Sequence, residues 1–238
     1  MKLILPALIF VFLFSSCTYQ YFTLASEELS KNGNNDFVVE NDTLKVVYRF
    51  NGYHGPVRIT IFNKTNELLE VNWRKSALIM KEDALSYYTP NMVLNGTINE
   101  DCLRKLYFFH SRYSNANIRT DILVNEPSQF IPPQSSISKI PLVLLQKNLA
   151  FLGRDLKKQK RKVSDYTNIK VIKEEYSSEK SLVNFRSYLT FNHGADQGKE
   201  FSIQHHFYVS EIMQTASGPS SFEQTTQKGD VFYVSGTR

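Results

Sequence analysis

The chain reads as mainly β, an antiparallel β-sandwich with a helical or irregular insertion near residues 143–165. Three observations predict this. Apolar and polar residues alternate with period two in many short runs. Turn-forming Asn, Asp, Gly and Pro separate those runs at close intervals. Aromatic residues are abundant, 17 Phe and 13 Tyr against one Trp, a usage that suits pleated strands better than helices.

The organising stretch is residues 57–80. Val57, Ile59 and Ile61 alternate with Arg58, Thr60 and Phe62, and the polar run 63–67 then supplies a turn. Leu69, Val71 and Trp73 next alternate with Glu70, Asn72 and Arg74, and a third short strand reaches Met80. The shared phase across the turn predicts Trp73 buried between two sheets beside Ile59, Ile61 and Val71.

Upstream, residues 19–24 form a possible first strand, and 31–36 (KNGNND) is a loop signal. Residues 37–40 and 44–50 flank the tight turn 41–43. Residues 51–56 hold two glycines and a proline and turn the chain into the Val57 strand. Downstream, 84–89 is a strand with Tyr87 and Tyr88, 90–101 a Gly/Asn-containing loop, 103–110 an apolar run and 111–120 a polar stretch. Strands at 127–131 and 136–142 are split by Pro132-Pro133, which cannot lie inside a central strand. In residues 143–165 Leu144, Leu145, Leu149, Leu152 and Leu156 recur at helical spacing and lead into KKQKRK at 157–162. Strands resume at 168–173, 182–191, 201–213 and 231–235, with a Gly/Ser/Thr/Gln loop at 216–230.

The N-terminus predicts location. Lys2 is a positive n-region, residues 3–14 are apolar but too few to span a bilayer, and Ser15-Ser16 are small cleavage-site residues followed by Cys17. An ordinary signal peptide, or an N-terminal buried helix, fits the same residues. The series Leu13-Phe14-Ser15-Ser16-Cys17 resembles a bacterial lipoprotein lipobox, with Phe14 where that pattern has a small or aliphatic residue. The resemblance implies that Cys17 is diacylated on sulfur and becomes the mature N-terminus. Expected domains are a signal peptide over 1–16, a lipidated tether over 17–36, and one β-sandwich over 37–238 with the basic insertion at 143–165. Two acyl chains, at about 0.8 kcal/mol per buried methylene, hold a protein stably on a membrane.

Further residues carry a wider resemblance. Asn63-Lys64, Val71-Asn72-Trp73, Ser76-Ala77-Leu78-Ile79 and Ile131-Pro132-Pro133, after the aromatic run 18–22, resemble uncharacterised lipoproteins of Bacteroidota. The resemblance spans most of residues 1–140. It implies an immunoglobulin-like sandwich in the cell envelope, on the outer membrane, and it implies no reaction and no cofactor.

Candidate chemistry is sparse. His205 and His206 are adjacent on a strand and point to opposite faces, so an unbent strand cannot aim both at one metal; His205 shares the apolar phase. His54, His110 and His193 are scattered. Acidic pairs at Glu27-Glu28, Glu82-Asp83, Glu100-Asp101 and Glu174-Glu175 lie in or near turns, where solvation is the default. Cys102 sits in an apolar context, and residues 192–200 have a calcium-loop flavour without regular ligand spacing. No P-loop, GxGxxG or GxSxG occurs. The basic run Lys157, Lys158, Lys160, Arg161 and Lys162 is the sharpest charge feature; it reads either as a solvated peripheral segment or as a contact for an anionic envelope surface. Tyr53, Tyr87 and Tyr88 are candidates for stacking on sugars, with cross-strand packing as the alternative, and Asp42-Thr43-Leu44 resembles an O-glycosylation acceptor of the same bacteria, or is simply a hairpin turn.

The expected function is therefore a non-catalytic, lipid-anchored envelope protein with a protein or glycan partner and no nucleic acid. The alternative is a lipid-anchored hydrolase acting on envelope glycan or peptidoglycan.

Overall fold

The computed structural model describes residues 17–88, 126–145, 157–164, 167–194 and 199–237. Most of the described elements are strands, with one short helix, α1 (Glu223–Thr226). In chain order the strands are β1 (Cys17–Ala25), β2 (Ser30–Lys31), β3 (Phe37–Glu40), β4 (Leu44–Arg49), β5 (Gly52–Tyr53), β6 (Pro56–Asn63), β7 (Leu69–Asn72) and β8 (Ala77–Met80). There follow β9 (Asp83–Ser86), β10 (Ser128–Ile131), β11 (Ser136–Val143), β12 (Lys157–Ser164), β13 (Thr167–Glu175), β14 (Asn184–His193), β15 (Glu200–Thr215) and β16 (Val231–Thr237).

Two sheets form. The smaller has the order β11-β6-β4-β3-β2. The larger has eleven strands: seven along the path β10-β7-β14-β15-β1-β16-β5, β13 beside β15 with β12 beyond it, and β8 beside β14 with β9 beyond it. The parallel pairing of β5 with β16 is the exception to antiparallel ladders among the described strands.

Alternation sets the faces. Along β6, Val57, Ile59, Ile61 and Asn63 are buried while Arg58, Thr60 and Phe62 are half-buried on the other side. β4 turns Leu44, Val46 and Tyr48 the same way. These residues meet Phe185, Leu189, Phe207 and Val209 of the larger sheet in one core. Phe207 is its aromatic centre, with the rings of Phe37, Tyr48, Phe50 and Phe185 all 5.2 Å from it. Such ring pairs contribute about 0.5–1.5 kcal/mol each beyond burial.

Residues 57–80 do not form a simple hairpin ladder. β6 belongs to the small sheet and β7 to the large one, so residues 64–68 carry the chain between layers. Asn63, fully buried, holds the crossing: its Nδ2 donates to the carbonyls of Glu67 and Ile131 at 2.8 and 2.9 Å, and its Oδ1 accepts from Thr65 N and Oγ1. Trp73 lies past the end of β7 in a 3-10 turn, Trp73–Lys75, capped by the Asn72 side chain. It is fully buried in the same core as Ile59, Ile61 and Val71. Lys139 of β11 lies over the indole at 4.8 Å from the ring centroid, and burial holds its ammonium pKa below the usual range.

A charged clasp joins the 31–36 loop to the turn before β16. Asp230, 2% exposed, accepts from Lys31 Nζ at 2.6 Å and Asn35 Nδ2 at 3.1 Å. Asp36 accepts from Arg49 Nε at 2.7 Å and Asn32 Nδ2 at 3.0 Å. Gly229 is required between them, because a Cβ there would meet Asp36 Oδ1 at 2.0 Å and Asp36 Cα at 2.9 Å.

Two expectations need correction. Residues 17–25 are no tether but an inner strand of the large sheet, held by β15 on one edge and β16 on the other. Phe22 and Leu24 face the main core and Tyr21 a second cluster on the opposite face, so both faces of β1 are covered. The basic run is neither helical nor irregular: β12 pairs antiparallel with β13 from Lys157↔Lys173 to Ser164↔Thr167. The leucine spacing that suggested a helix falls mainly on residues 146–156, outside the described residues. The expected loop 90–101, apolar run 103–110 and polar stretch 111–120 also lie outside them.

Replacing Trp73 with Ala removes the largest buried side chain of the core. Trp73→Ala is expected to lower stability by about 3–5 kcal/mol, read as a fall in the urea midpoint with the m-value retained. An unchanged midpoint would contradict the packing described.

Candidate functional site

The most distinctive surface is an aromatic row across the outer face of the large sheet. Strand register puts Met213 of β15 opposite Tyr21 of β1, Tyr21 opposite Tyr233 of β16, and Tyr233 opposite Tyr53 of β5. The Tyr21 and Tyr233 rings are 5.9 Å apart, those of Tyr233 and Tyr53 are 5.7 Å apart, and Tyr19 stacks on Tyr21 at 6.4 Å. The row slopes from core to solvent. Tyr21 is 2% exposed beneath Phe222, donates its hydroxyl to Ser217 O at 2.9 Å, and has its phenol pKa pushed up by burial and by Tyr19 and Tyr233. Tyr53, at the other end, is 43% exposed.

A tight turn delivers Tyr53. Gly52, His54 and Gly55 have φ of 130°, 65° and 69°. For His54 that left-handed backbone is costly and needs neighbours to hold it. They are present: His54 N donates to Tyr233 O at 2.9 Å, and the amides of Leu144 and Leu145 donate to the carbonyls of Gly55 and His54. Gly55 has no room for a side chain, since a Cβ would lie 3.0 Å from Phe232 and 3.1 Å from Leu144. The His54 ring packs edge-on to Tyr53 at 4.1 Å, and the Tyr53 hydroxyl is 3.2 Å from Ser235 Oγ. The result is a fixed, exposed phenol ring at the edge of a ladder of rings. Flat aromatic faces flanked by hydroxyls suit the C–H faces of sugar rings.

The other candidates fall elsewhere. Tyr87 is fully buried, donating to Ser187 Oγ at 2.8 Å, so it is not a surface stacking residue; Tyr88 is half-buried with Arg74 over its ring at 5.1 Å. His205 faces inward and His206 the other way, as alternation predicts. His205 Nδ1 is 2.9 Å from the Tyr48 hydroxyl, and Ser187 is its register partner on β14. Burial pushes the His205 pKa down, partly offset by the Glu28 carboxylate, and pushes the Tyr48 and Tyr87 phenols up. Glu27, Glu28, Glu82 and Asp83 are exposed, and Glu174 accepts from Tyr176. Cys102, His110, Glu100 and Asp101 lie outside the described residues, as do 195–198 of the 192–200 loop. Asp42-Thr43 is a tight turn closed by the Asn41 side chain, which accepts from Thr43 N and Leu44 N. Cys17 is the first residue of β1, opposite Thr237.

An open depression of about 390 Å³ lies on the outer face of the small sheet, lined by Glu40, Lys45, Val47, Thr60, Phe62, Lys64 and Ser136. Its charges satisfy one another: Lys64 Nζ is 2.8 Å from Glu40, whose carboxyl it holds below the usual range. Among the described residues, no group of three or more His, Cys, Asp or Glu converges to hold a metal. Nor is any described helix long and apolar enough to cross a membrane. No protein-family model, curated protein or solved structure matches the chain.

The aromatic row escaped the sequence reading because its two outer members are joined by a parallel pairing of distant segments. The visible signal was the Gly-Tyr-His-Gly turn at 52–55, whose glycines bracket an exposed ring.

The buried His205 sets a pH dependence. Its folded pKa lies below the unfolded value of about 6.5, so the unfolded state binds the extra proton. Its share of stability is complete above about pH 6.5 and declines as pH falls through the unfolded pKa towards the lower folded one. The thermal midpoint is expected to drop between pH 8 and pH 5, and His205→Gln to flatten that drop. An equal drop in the variant would assign it to other groups.

Proposed function

We propose that the protein is a non-catalytic lipoprotein of the cell envelope, anchored on the outer membrane through acyl chains on Cys17, whose immunoglobulin-like sandwich binds a glycan at the solvent end of the row, over Tyr53 and Tyr233. The observation that carries this reading is the exposed Tyr53 ring, fixed by a strained turn and continued inward by the tilted rings of Tyr233 and Tyr21. Backbone strain of this kind clusters at ligand sites because the surrounding structure must hold it in place. Two mainly antiparallel sheets around one core support the sandwich assignment, and the lipobox-like series that runs into β1 at Cys17 supports the anchor.

Two measurements test the two halves separately. Metabolic labelling with a clickable fatty acid is expected to mark the wild type and not Cys17→Ala; label persisting in the variant rejects the anchor. Calorimetric titration with envelope polysaccharide fragments is expected to give saturable binding, weakened about tenfold or more by Tyr53→Ala, equivalent to about 1.4 kcal/mol. Binding indifferent to Tyr53 rejects the row as the site. Turnover of the fragments that vanishes on replacing one polar residue would make the protein an enzyme instead.

A further inference from the structure

We propose that the β12–β13 hairpin is an electrostatic foot that docks on anionic phospholipid headgroups, beside the end of the sheet where Cys17 lies. The inference rests on the preceding reading only in taking Cys17 as the anchored residue.

The first observation is where the charge sits. Residues 157–173 contain seven of the 28 Lys and Arg of the chain but one of its 23 Asp and Glu, Asp165. That segment is therefore net +6 in a chain of net +5, and the rest of the protein is net −1. With Glu174 and Glu175, the last two residues of β13, the whole hairpin is net +4, most of the charge of a chain that is net +5.

The second is where the hairpin lies. Lys158 of β12, Ile172 of β13, Gln214 of β15 and Gln20 of β1 form one continuous row of strand partners. From that row β1 runs three residues back to Cys17, and β12 runs three residues forward, in the same direction, to Arg161. Arg161 is thus level with Cys17, and Lys162 is one step beyond. β13 pairs with β15 only from Ile172 to Glu175. Residues 167–171, with the strand β12 opposite them, continue past that ladder on the Cys17 side.

The third is how the charges are set against one another. Register puts Lys157 opposite Lys173 and Lys160 opposite Lys170. Like charges directly across a ladder are destabilising. Lys173 is compensated by Glu175 and Glu211, at 2.8 and 2.7 Å, at the far end of the hairpin from Cys17. Lys158 and Lys162 stand two positions either side of Lys160 along β12, Lys170 is the register partner of Lys160, and strands β12 and β13 contain no Asp or Glu before Glu174. A surface carrying many negative charges offsets that repulsion, and a membrane leaflet of anionic lipid attracts each Lys or Arg held near it. An anchor at Cys17 would hold the hairpin within reach of such a leaflet.

The test uses the full chain and two kinds of vesicle, phosphatidylcholine alone and phosphatidylcholine with phosphatidylglycerol. The readout is the ratio of partitioning between them, to which an acyl chain contributes equally on both sides, so failure of acylation and failure of this proposal remain distinguishable. The wild type is expected to favour the anionic vesicles, with a preference that falls as salt is added. The triple variant Lys158→Gln, Lys160→Gln, Lys162→Gln is expected to lose about a hundredfold of that preference. The equal-charge control Lys81→Gln, Lys180→Gln, Lys199→Gln is expected to keep it. A wild-type ratio near one, or an equal loss in the control, overturns the proposal. So does tight binding to a soluble polyanion such as heparin without preference between vesicles. Should the triple variant fail to fold, the salt dependence of the wild-type ratio decides: a salt-independent ratio also overturns it.

Discussion

Strand β15 is sixteen residues long, and no single neighbour covers it. Its first half pairs with β14, and its second half carries β1 on one edge and β13 on the other. Because side chains alternate along one continuous strand, the faces of these neighbours are fixed together. His205, Phe207 and Val209 point into the main core, and Met213 emerges under the outer cluster with Tyr21 and Phe222. The bulge opposite Thr23 and Leu24 of β1 belongs to the same passage from one half to the other. A one-residue slip of β15 would bring His206 into the core and turn Phe207 to solvent. Main core, aromatic row and basic hairpin are thus positioned by one ladder.

The small sheet is held against this spine by two polar devices. At one end Asn63 uses its whole amide inside the layer crossing. At the other, Asp230 and Asp36 are neutralised by Lys31 and Arg49. Leaving one such buried carboxylate without its cation costs about 3–5 kcal/mol. Side chains of 31–36 and the backbone of 228–230 must therefore stay together, and Gly229, where a Cβ would meet Asp36 Oδ1 at 2.0 Å, lies there. The exposed edge of the small sheet, β11, is managed differently. Its register shifts between Lys139 and Leu142, and Lys139 turns its charge inward over Trp73. Bulges and inward charges are devices that discourage a further strand from adding to an edge.

Much of the fold was legible because period-two runs have one consistent reading. β6, β14 and β15 follow their apolar phases, and that phase put Trp73 in the core and His205 inside. Sheet membership was not legible. The polar residues 64–68 would serve a hairpin as well as a crossing between layers, and what decides is the distant carbonyl of Ile131 that Asn63 satisfies. Strand β12 was hidden because lysines have no apolar phase to read; its conformation depends on pairing with β13. Tyr87 looked like surface because it stands at a loop edge, although tyrosines on strands more often pack across strands, and it is buried with its hydroxyl on Ser187, a hundred residues away in sequence. The candidate site was half visible: Tyr53 stood out, while Tyr233 joined it only through a pairing across the whole chain.

The place of β1 has a consequence for how the protein comes to be folded. Its partners are β15 and β16, and Gln20 meets Gln214 across 194 residues of sequence. A chain emerging N-terminus first must hold β1 unpaired until nearly all the rest has followed. Pairings of such long range are slow to form, because chain entropy is lost before contacts repay it. On the export route proposed above, that delay would be useful: without its last strands the large sheet cannot close, and the chain stays pliant enough to pass a membrane pore.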